Sequence, residues 1–330
     1  MRGCGFAAGE SDIEGDVVAV LSGMPTFTRS RRRSTWIAGG LLIVVVLVSL
    51  GSLPWTLGSG GGPAARFEAA DPAHALQPPS WGASHGLLGT DRLGRDVAAR
   101  LLLGGAISLV VGLAAAGTAL LLGTTWGLTA AIAGGRVDAV LMRTVDVLYG
   151  LPAILLVVLL AVAMDGIRER TGVSRSGASG LLLDLATLWI AIGAVSWLTL
   201  ARVVRGQVLS LRTRPFIESA RVAGVPLGRL VRRYYLPWIA GPVVACTALI
   251  VPMAMLSEAF LSFLGIGVQE PLPSWGNMAA AALSELNPVQ SRWWLLLWPC
   301  LMIAMTLVAL TMLGESLRLA IDPRQRDAAT

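Results

Sequence analysis

Six long apolar segments constrain the fold of this chain more than any other feature. A helix that crosses a bilayer needs about 20 mostly apolar residues. Segments of this kind lie near Trp36–Leu53, Leu101–Ala131, Val137–Met164, Leu181–Val203, Trp238–Leu264 and Trp293–Leu319. Only 14% of the residues are charged, against about 25% in soluble domains. The sequence therefore predicts an all-α integral membrane protein with six transmembrane helices.

All 26 basic residues are arginine, and this excludes several chemistries. Without lysine the chain has neither a P-loop of the GxxxxGK[ST] kind nor a Schiff-base lysine, so we expect no nucleotide hydrolysis by this chain alone. The chain has a net charge of +6. In so apolar a chain an excess of arginine is typical of cytoplasmic loops, so we expect no nucleic-acid partner. Three cysteines (Cys4, Cys246, Cys300) and two histidines form no disulfide framework or metal-ligand spacing. We predict no catalytic residue and no metal site.

The distribution of arginine predicts the orientation of the spans. Arginines flank the first span at 29–33, and eight more lie between the fourth and fifth spans: Arg202, Arg205, Arg212, Arg214, Arg221, Arg229, Arg232 and Arg233. The C-terminal segment adds Arg318, Arg324 and Arg326. This pattern predicts a multi-pass membrane protein with both termini in the cytoplasm. The first apolar run, of about 18 residues, is longer than the 7–15 of a signal peptide, which favours an uncleaved helix over a cleaved one.

The composition also divides the chain into regions. We predict a poorly ordered cytoplasmic tail at 1–34 and a first transmembrane helix at 35–53. An extracytoplasmic segment with a glycine-rich linker (GSGGGP) and the sequence GTDRLGRD follows at 54–98. A core at 99–319 contains a cytoplasmic loop at 213–237, and residues 320–330 form a second cytoplasmic tail.

The cytoplasmic loop has start and stop residues typical of two short helices. Pro215 suits a first helical turn and Gly224 a left-handed stop. After Pro226, an apolar face of the second helix is expected at Leu227, Leu230, Val231 and Tyr234. Leu236-Pro237 should end this helix before the fifth span. Two interpretations are open from the residues alone: an interfacial helix bound to anionic membrane lipid, or a docking element for a soluble partner.

Several polar and small residues near the spans also carry expectations. In GTDRLGRD, Asp96 is expected to cap a helix that starts at Val97, with local ion pairs among Asp91, Arg92 and Arg95. Small residues at four-residue spacing should allow close helix packing: Ser108, Gly112 and Ala116. Arg143 and Asp146 are predicted to pair on one helix face. Glu258 either binds the amino terminus of a ligand or, as we favour, hydrogen-bonds the neighbouring loop.

Three separated motifs resemble those of one family. The pattern E-S-A-x-x-x-G at 218–224, followed by Leu-Pro at 236–237, is similar to the EAA loop of ABC-importer permeases. GTDRLGRD at 89–96 resembles the GTDxxGRD segment of the dipeptide/oligopeptide permeases, and SEAFLSFLGIGVQEPLPSWGNM at 257–278 resembles the segment that follows their EAA loop. The resemblance covers roughly 86–324 and fits the C-type subunit of the permease pair. It implies the type I ABC importer permease fold and a location in the bacterial cytoplasmic membrane.

The resemblance implies that the 213–237 loop couples to separate ATPase subunits. The implied coupling residues are Glu218, Ser219, Ala220, Gly224, Pro226, Leu227, Leu230, Val231 and Tyr234. The implied extracytoplasmic motif residues are Gly89, Thr90, Asp91, Gly94, Arg95 and Asp96. Ser219 departs from the usual alanine, and Tyr235 stands where a histidine is common.

The implied partners are a second homologous permease subunit in a heterodimer, one or two ATP-binding subunits and an extracytoplasmic substrate-binding protein. This chain itself would hold no cofactor, and ATP and Mg would bind to the ATPase subunits. The implied cargo is a di- or oligopeptide, with nickel chelates or peptide-like antibiotics as alternatives. A secondary transporter that works without ATP is the rival from another class, and it would need midplane carboxylates or inverted repeats.

Overall fold

The structure is a computed structural model that describes residues 28–58, 65–80, 86–171, 177–286 and 291–321. The chain divides into two units, one ending at Ile37 and the other starting at Ala38. The first unit contributes only the beginning of helix α1, and the account below concerns the second. The predictions for the N-terminal tail at 1–23, most of the glycine linker, and Arg324 and Arg326 lie outside the described residues.

Most of the described residues are helical, none of them lies in a β-strand, and Thr90 and Asp96 form an isolated antiparallel bridge. A 3₁₀ turn spans Pro72–His74. The helices are α1 (Thr28–Gly51), α2 (Leu53–Leu57), α3 (Val97–Ala133), α4 (Gly135–Tyr149), α5 (Ala153–Thr171), α6 (Gly177–Arg212), α7 (Pro215–Val222), α8 (Leu227–Leu230), α9 (Leu236–Phe263), α10 (Trp275–Leu283) and α11 (Trp293–Ile321).

Five stretches of these helices are long and apolar enough to cross a membrane. They are Trp36–Leu57, Val97–Ala133, Leu182–Arg212, Leu227–Phe263 and Trp293–Leu319. The helices α4 and α5 qualify only as a pair, and they are bent by 91° at the break between them. Counting that pair as one span gives six, which confirms the all-α membrane fold.

The third span, expected near Val137–Met164, is broken near its middle into α4 and α5. The helix ends at Tyr149, and Gly150, Leu151 and Pro152 make the corner before α5. Proline disfavours the helical conformation at the residue before it and has no N–H to donate, so Leu151-Pro152 stops the helix although the segment is apolar throughout.

Glycine allows the two longest inner helices, α3 and α6, to pack closely. A Cβ added to Gly123 would lie 2.8 Å from Leu200 Cβ, and one added to Gly127 would lie 2.5 Å from the Ala201 carbonyl oxygen. This is the small-xxx-small arrangement that lets membrane helices approach. The predicted small-residue stripe on α3 packs instead against α9: Ser108 bonds Glu258, and a Cβ on Gly112 would meet Met255 Cγ at 2.4 Å.

Three arginines of α6 join the helices at one end of the bundle. Arg205 donates two hydrogen bonds to Asp138, at 2.6 and 2.7 Å. Arg202 donates to Asp146 at 2.8 Å and lies over the Tyr149 ring at 3.9 Å, so the predicted pairing of Asp146 with Arg143 is replaced by one between helices. Arg212 donates to the Ala131 carbonyl at 2.7 Å and so satisfies an otherwise free C-terminal group of α3.

Candidate functional site

The loop between α6 and α9 folds as the sequence predicts up to its glycine. Pro215 occupies the first turn of α7, where its missing N–H leaves no bond unmade. Gly224 has a φ of 73°, a left-handed conformation that favours glycine. The Val225 N–H then donates to the Ala220 carbonyl at 3.1 Å, which closes the turn. Pro226 follows as the N-cap of α8.

The expected end of the second helix at Leu236-Pro237 is wrong, because α8 continues into α9 through a π turn at Val231–Tyr235. The Leu236 N–H donates to the Val231 carbonyl, five residues earlier. An α-helical register would drive the Pro237 ring into the carbonyl of Arg233. The wider turn accommodates the proline, and the helix runs on unbroken to Phe263.

The π turn changes which side chains face the protein. Leu230 is buried, Val231 and Tyr234 are half-buried, and Leu227 is exposed, so the four residues expected on one apolar face differ in exposure. Tyr235 is fully buried instead. An i→i+5 turn advances fewer degrees per residue than an α turn, so Tyr235 comes round to the same side as Leu230. Sequence reasoning missed Tyr235 because it assumed a constant α-helical period.

Buried side chains attach the loop to the bundle. Ile217 and Ala220 of α7, Leu230 of α8 and Tyr235 belong to the apolar cluster that also contains Val208 of α6. Phe216 stacks on Trp238 with ring centroids 5.0 Å apart. Arg221 donates to the Tyr235 hydroxyl at 2.7 Å, which joins α7 to the π turn. The loop is therefore held by both its helices.

The opposite side of the loop is open. Val222 is 90% exposed and Leu227 is 57% exposed, and both belong to the segment on either side of the Gly224 turn. Glu218 and Ser219 are also exposed, and the Ser219 hydroxyl donates to the Pro215 carbonyl at 2.8 Å, so serine in place of alanine satisfies its own polar group. Beside them, Arg229, Arg232 and Arg233 line an open basic groove. Exposed apolar side chains rimmed by charge are typical of a protein-binding surface.

The GTDRLGRD segment folds around the Asp91 carboxylate. Its Oδ1 accepts from the N–H groups of Leu93 and Arg95, both at 2.9 Å, and its Oδ2 accepts from Arg95 Nε at 2.6 Å. Gly94 has a φ of 75°, and a Cβ there would lie 1.8 Å from the Asp71 carbonyl oxygen. The segment is thus a tight clip, with the predicted ion pair between Asp91 and Arg95 present.

The two ends of this clip tie it to its neighbours. Thr90 donates its hydroxyl proton to the His74 carbonyl at 2.6 Å and accepts from the Gln77 N–H at 2.9 Å. Gly89, with a φ of 89°, accepts from Val97 N through its carbonyl. Asp96 caps α3 by accepting from Ala98 N at 2.8 Å, which confirms the predicted cap. Burial raises the pKa of Asp96, although its hydrogen bonds with the backbone N–H groups of Ala98 and Ala99 oppose the shift.

Two further charged residues complete an extended cluster at this clip. Arg95 Nη2 donates to Glu270 Oε1 at 2.9 Å, across 175 residues of sequence. Arg100, in the first turn of α3, lies 3.8 Å from Asp91 and 3.6 Å from Glu270. Sequence reasoning assigned no role at this site to Glu270 or Arg100. An arginine in the first turn of an otherwise apolar helix was the available signal.

The charged residues of this cluster shift one another's pKa values. Burial alone would lower the pKa of Arg95, but its contacts with Glu270 and Asp91 outweigh burial, and the pKa rises. The hydrogen bond from Arg95 lowers the pKa of Glu270, against the opposing effect of partial burial. Both groups are therefore charged at neutral pH.

Glu258 lies in the interior of the bundle and is fully buried. Its two carboxylate oxygens accept hydrogen bonds from Ser108 at 2.6 Å and from Ser262 at 2.8 Å. Ser262 in turn accepts from the Val268 N–H at 3.0 Å. This geometry supports the predicted structural role, because the carboxylate links α3, α9 and the loop after α9. Contact with a transported peptide would need the bundle to open.

The loop after α9 forms a folded cap. Asn277 Nδ2 donates to the carbonyls of Val268 and Leu272, at 3.1 and 2.9 Å, and a capping box with Ser274 starts α10. The buried Trp275 donates its Nε1–H to the Leu101 carbonyl at 2.9 Å. A Cβ on Gly276 would lie 2.1 Å from the Ala259 carbonyl oxygen. The third family-like motif is thus a packed element with little room for substitution.

Residues 123–327 match the family model described as "Binding-protein-dependent transport system inner membrane component". The chain is 39% identical over 238 residues to the dipeptide transport system permease protein DppC of Bacillus subtilis, which covers 72% of this chain and 68% of the relative. It is 41% identical over 239 residues to the oligopeptide transport system permease protein OppC of Escherichia coli K12, covering 72% of each. With the di/tripeptide transport system permease protein DppC of Pseudomonas aeruginosa the identity is 33% over 312 residues, covering 93% of this chain and 94% of the relative.

A solved structure shares the fold. The inward-facing MetNI methionine ABC transporter contains a chain that aligns with a TM-score of 0.52 at 16% identity, covering 68% of this chain and 96% of that one. At this identity the likeness concerns the helical architecture alone.

Proposed function

Because the chain belongs to the family of binding-protein-dependent transport system inner membrane components, we propose that it is the permease subunit of an ATP-driven importer of peptides. The relatives that carry this proposal transport dipeptides, di- and tripeptides, or oligopeptides according to their names. The cargo is accordingly a short peptide, and nickel chelates or peptide-like antibiotics are alternatives within the same importer class.

The proposal rests on the contrast between the exposed tip of the 213–237 loop, formed by Val222 and Leu227 on either side of the Gly224 turn, and the buried residues that attach the loop to the bundle. Val222 and Leu227 are open to solvent, while Ile217, Leu230 and Tyr235 fix the same loop in the apolar cluster. A surface that is apolar, exposed and rigidly attached suits docking of a partner whose movement must reach the bundle. We assign this role to the 213–237 loop within a permease core of 99–319, and assign its partner as the ATP-hydrolysing subunit.

The energy for transport would come from that partner. The chain has no lysine for a P-loop, so ATP and Mg belong to one or two separate ATPase subunits. When those subunits close, they move the docked loop, and the bundle shifts between inward-open and outward-open states. A ligand or partner changes such an equilibrium only through contacts that differ between the two states. A second, homologous permease subunit completes the path as a heterodimer, and an extracytoplasmic binding protein delivers the peptide.

This function requires one orientation in the membrane. The arginine-rich loop at 202–233 lies on the cytoplasmic side, together with both termini, in line with the positive-inside rule. The GTDRLGRD clip and the cap after α9 then lie on the outer side, where a binding protein would dock.

The proposal is tested by pull-down of the tagged chain in a mild detergent, followed by mass spectrometry of the retained proteins. We expect a second permease, P-loop ATPase subunits and a binding protein, and the ligand eluted from the binding protein identifies the cargo. A chain that is retained alone, yet transports in liposomes without ATP, would be a secondary transporter and would overturn the proposal.

A further inference from the structure

The Arg100 side chain is buried, and its contacts with polar groups of the described residues are all long. Its side chain is 4% exposed, and its hydrogen bond, from Nη1 to the Phe67 carbonyl, is 3.5 Å long. A guanidinium carries five N–H donors. Burying a charge with few close partners is costly, so such a group favours any acceptor that can reach it.

The two carboxylates nearest to Arg100 make their close contacts with a different arginine. Asp91 Oδ2 lies 2.6 Å from Arg95 but 3.8 Å from Arg100, and Glu270 Oε1 lies 2.9 Å from Arg95 but 3.6 Å from Arg100. Asp91 is held in place by two backbone N–H groups. Glu270 is 45% exposed, so it is the acceptor of the pair that can leave.

A small cavity lies against these groups. It has a volume of about 40 Å³, and its charged lining comprises Asp91, Arg92, Arg95, Arg100, Glu270 and Glu285, opposite an apolar side. A water molecule needs roughly 10–15 Å³ of such volume. The cavity therefore has room for a group the size of a carboxylate beside the two guanidiniums.

We propose that Arg95 and Arg100 form a carboxylate-binding site that Glu270 partly occupies in this conformation, and that the free C-terminal carboxylate of a short peptide displaces Glu270 from it. The inference rests on the proposed function for its choice of ligand. The exchange replaces one carboxylate with another, so the charge of the site is unchanged. The apolar wall at Met278, Ala282 and Leu295 faces the part of the ligand next to its carboxylate.

Glu270 acts in this proposal as a tethered competitor. An attached carboxylate has a high effective concentration at its own site, so it weakens the binding of a free one. Replacing Glu270 with glutamine removes the charge of the competitor and leaves a side chain of nearly the same shape. The affinity for a free carboxylate should then rise, an outcome that misfolding cannot imitate.

The test is a calorimetric titration of the full-length chain in lipid nanodiscs with dialanine and with dialanine amide, which lacks the carboxylate. We expect E270Q to bind dialanine about tenfold more tightly than the unmodified chain, the effect of one charge-assisted hydrogen bond. R100Q should lose the preference for dialanine over its amide. R92Q is the matched control: Arg92 lines the same cavity but is exposed, and its removal should leave the preference intact.

Two results would overturn the proposal. One is that no variant distinguishes dialanine from its amide. The other is that R92Q weakens dialanine binding as much as R100Q does, because the attraction would then be a diffuse effect of positive charge. The same preparations are tested for retention of an ATPase subunit. Retention without carboxylate preference overturns this inference alone, whereas absence of both overturns the proposed function as well.

Discussion

Arg221 donates a 2.7 Å hydrogen bond to the hydroxyl of Tyr235, across the turn made by Gly224. The Tyr235 ring is fully buried, while Arg221 lies on the exposed side of α7. The pair thus connects the surface of the loop to the apolar cluster of the bundle. We expect this contact to transmit a displacement of α7 by a docked partner to the start of α9.

Tyr235→Phe tests the polar half of that connection. Because the ring still packs, we expect the free energy of unfolding to fall by about 0.5–1.5 kcal/mol, the usual contribution of one hydrogen bond. Tyr235→Ala should cost about 3 kcal/mol or more, since it also leaves a cavity. Thermal unfolding in detergent measures both. Equal losses for the two variants would show that the hydroxyl, and not the ring, holds the loop.

Val222→Asp tests the exposed tip. Val222 makes little contact with its own chain, so the variant should unfold like the parent but retain at least tenfold less ATPase subunit, because an unpaired charge enters an apolar interface. Glu218→Arg and Gly224→Asp should act in the same direction. Ser219→Ala is the matched control on the same helix, and its retention should be unchanged. Full retention by Val222→Asp would exclude the tip from the interface.

Asp91→Ala tests the clip. It removes the closest partner of the buried Arg95 and the oxygen, Oδ1, that accepts from the backbone N–H groups of Leu93 and Arg95. Breaking a buried ion pair in this way costs about 3–5 kcal/mol. We expect rapid proteolysis at 86–97 and a lower unfolding temperature. Arg92→Ala, at an exposed site in the same segment, should change stability by less than about 0.5 kcal/mol.

We expect the contact between Glu270 and Arg95 to be sensitive to acid. Its pKa is lowered in the folded protein by the hydrogen bond from Arg95. A carboxyl group with a lowered folded pKa contributes stability above its unfolded pKa of about 4.3, and loses it as the pH falls through the folded value. The difference in unfolding temperature between the parent and Glu270→Gln should therefore shrink as the pH falls below about 4.3. Asp96, whose raised pKa acts in the opposite direction, is present in both proteins and does not affect the difference.

Gly127→Ala tests the packing of α3 on α6. The added Cβ would lie 2.5 Å from a backbone oxygen of α6, which cannot move alone, so we expect a loss of at least about 2 kcal/mol. Gly117→Ala on the same helix meets nothing within 4 Å and should be neutral or stabilising, because alanine favours the helix. Similar unfolding temperatures for both variants would show that α3 and α6 are farther apart than the structure places them.

Features that depend on neighbouring residues could be predicted from the sequence. The spans follow from the length of each apolar run, because a backbone in lipid must satisfy its hydrogen bonds within the segment. The same holds for the cap at Asp96, the first turn at Pro215 and the reversal at Gly224. Each rests on contacts within a few residues. The family motifs are also local, and they indicated the same family as the comparisons.

The all-α membrane fold, the approximate extent of the helices and the family can be predicted from the sequence alone. The 91° corner between α4 and α5, the burial of Tyr235 rather than Leu227, and the partners of the charged side chains are seen only in the tertiary structure. Arg95 meets Glu270 across 175 residues, and Arg205 meets Asp138 across 67. The physical reason is that a side chain's charge and size are local properties. Its partner depends on where distant helices are placed by packing, and no period or spacing along the chain records that placement.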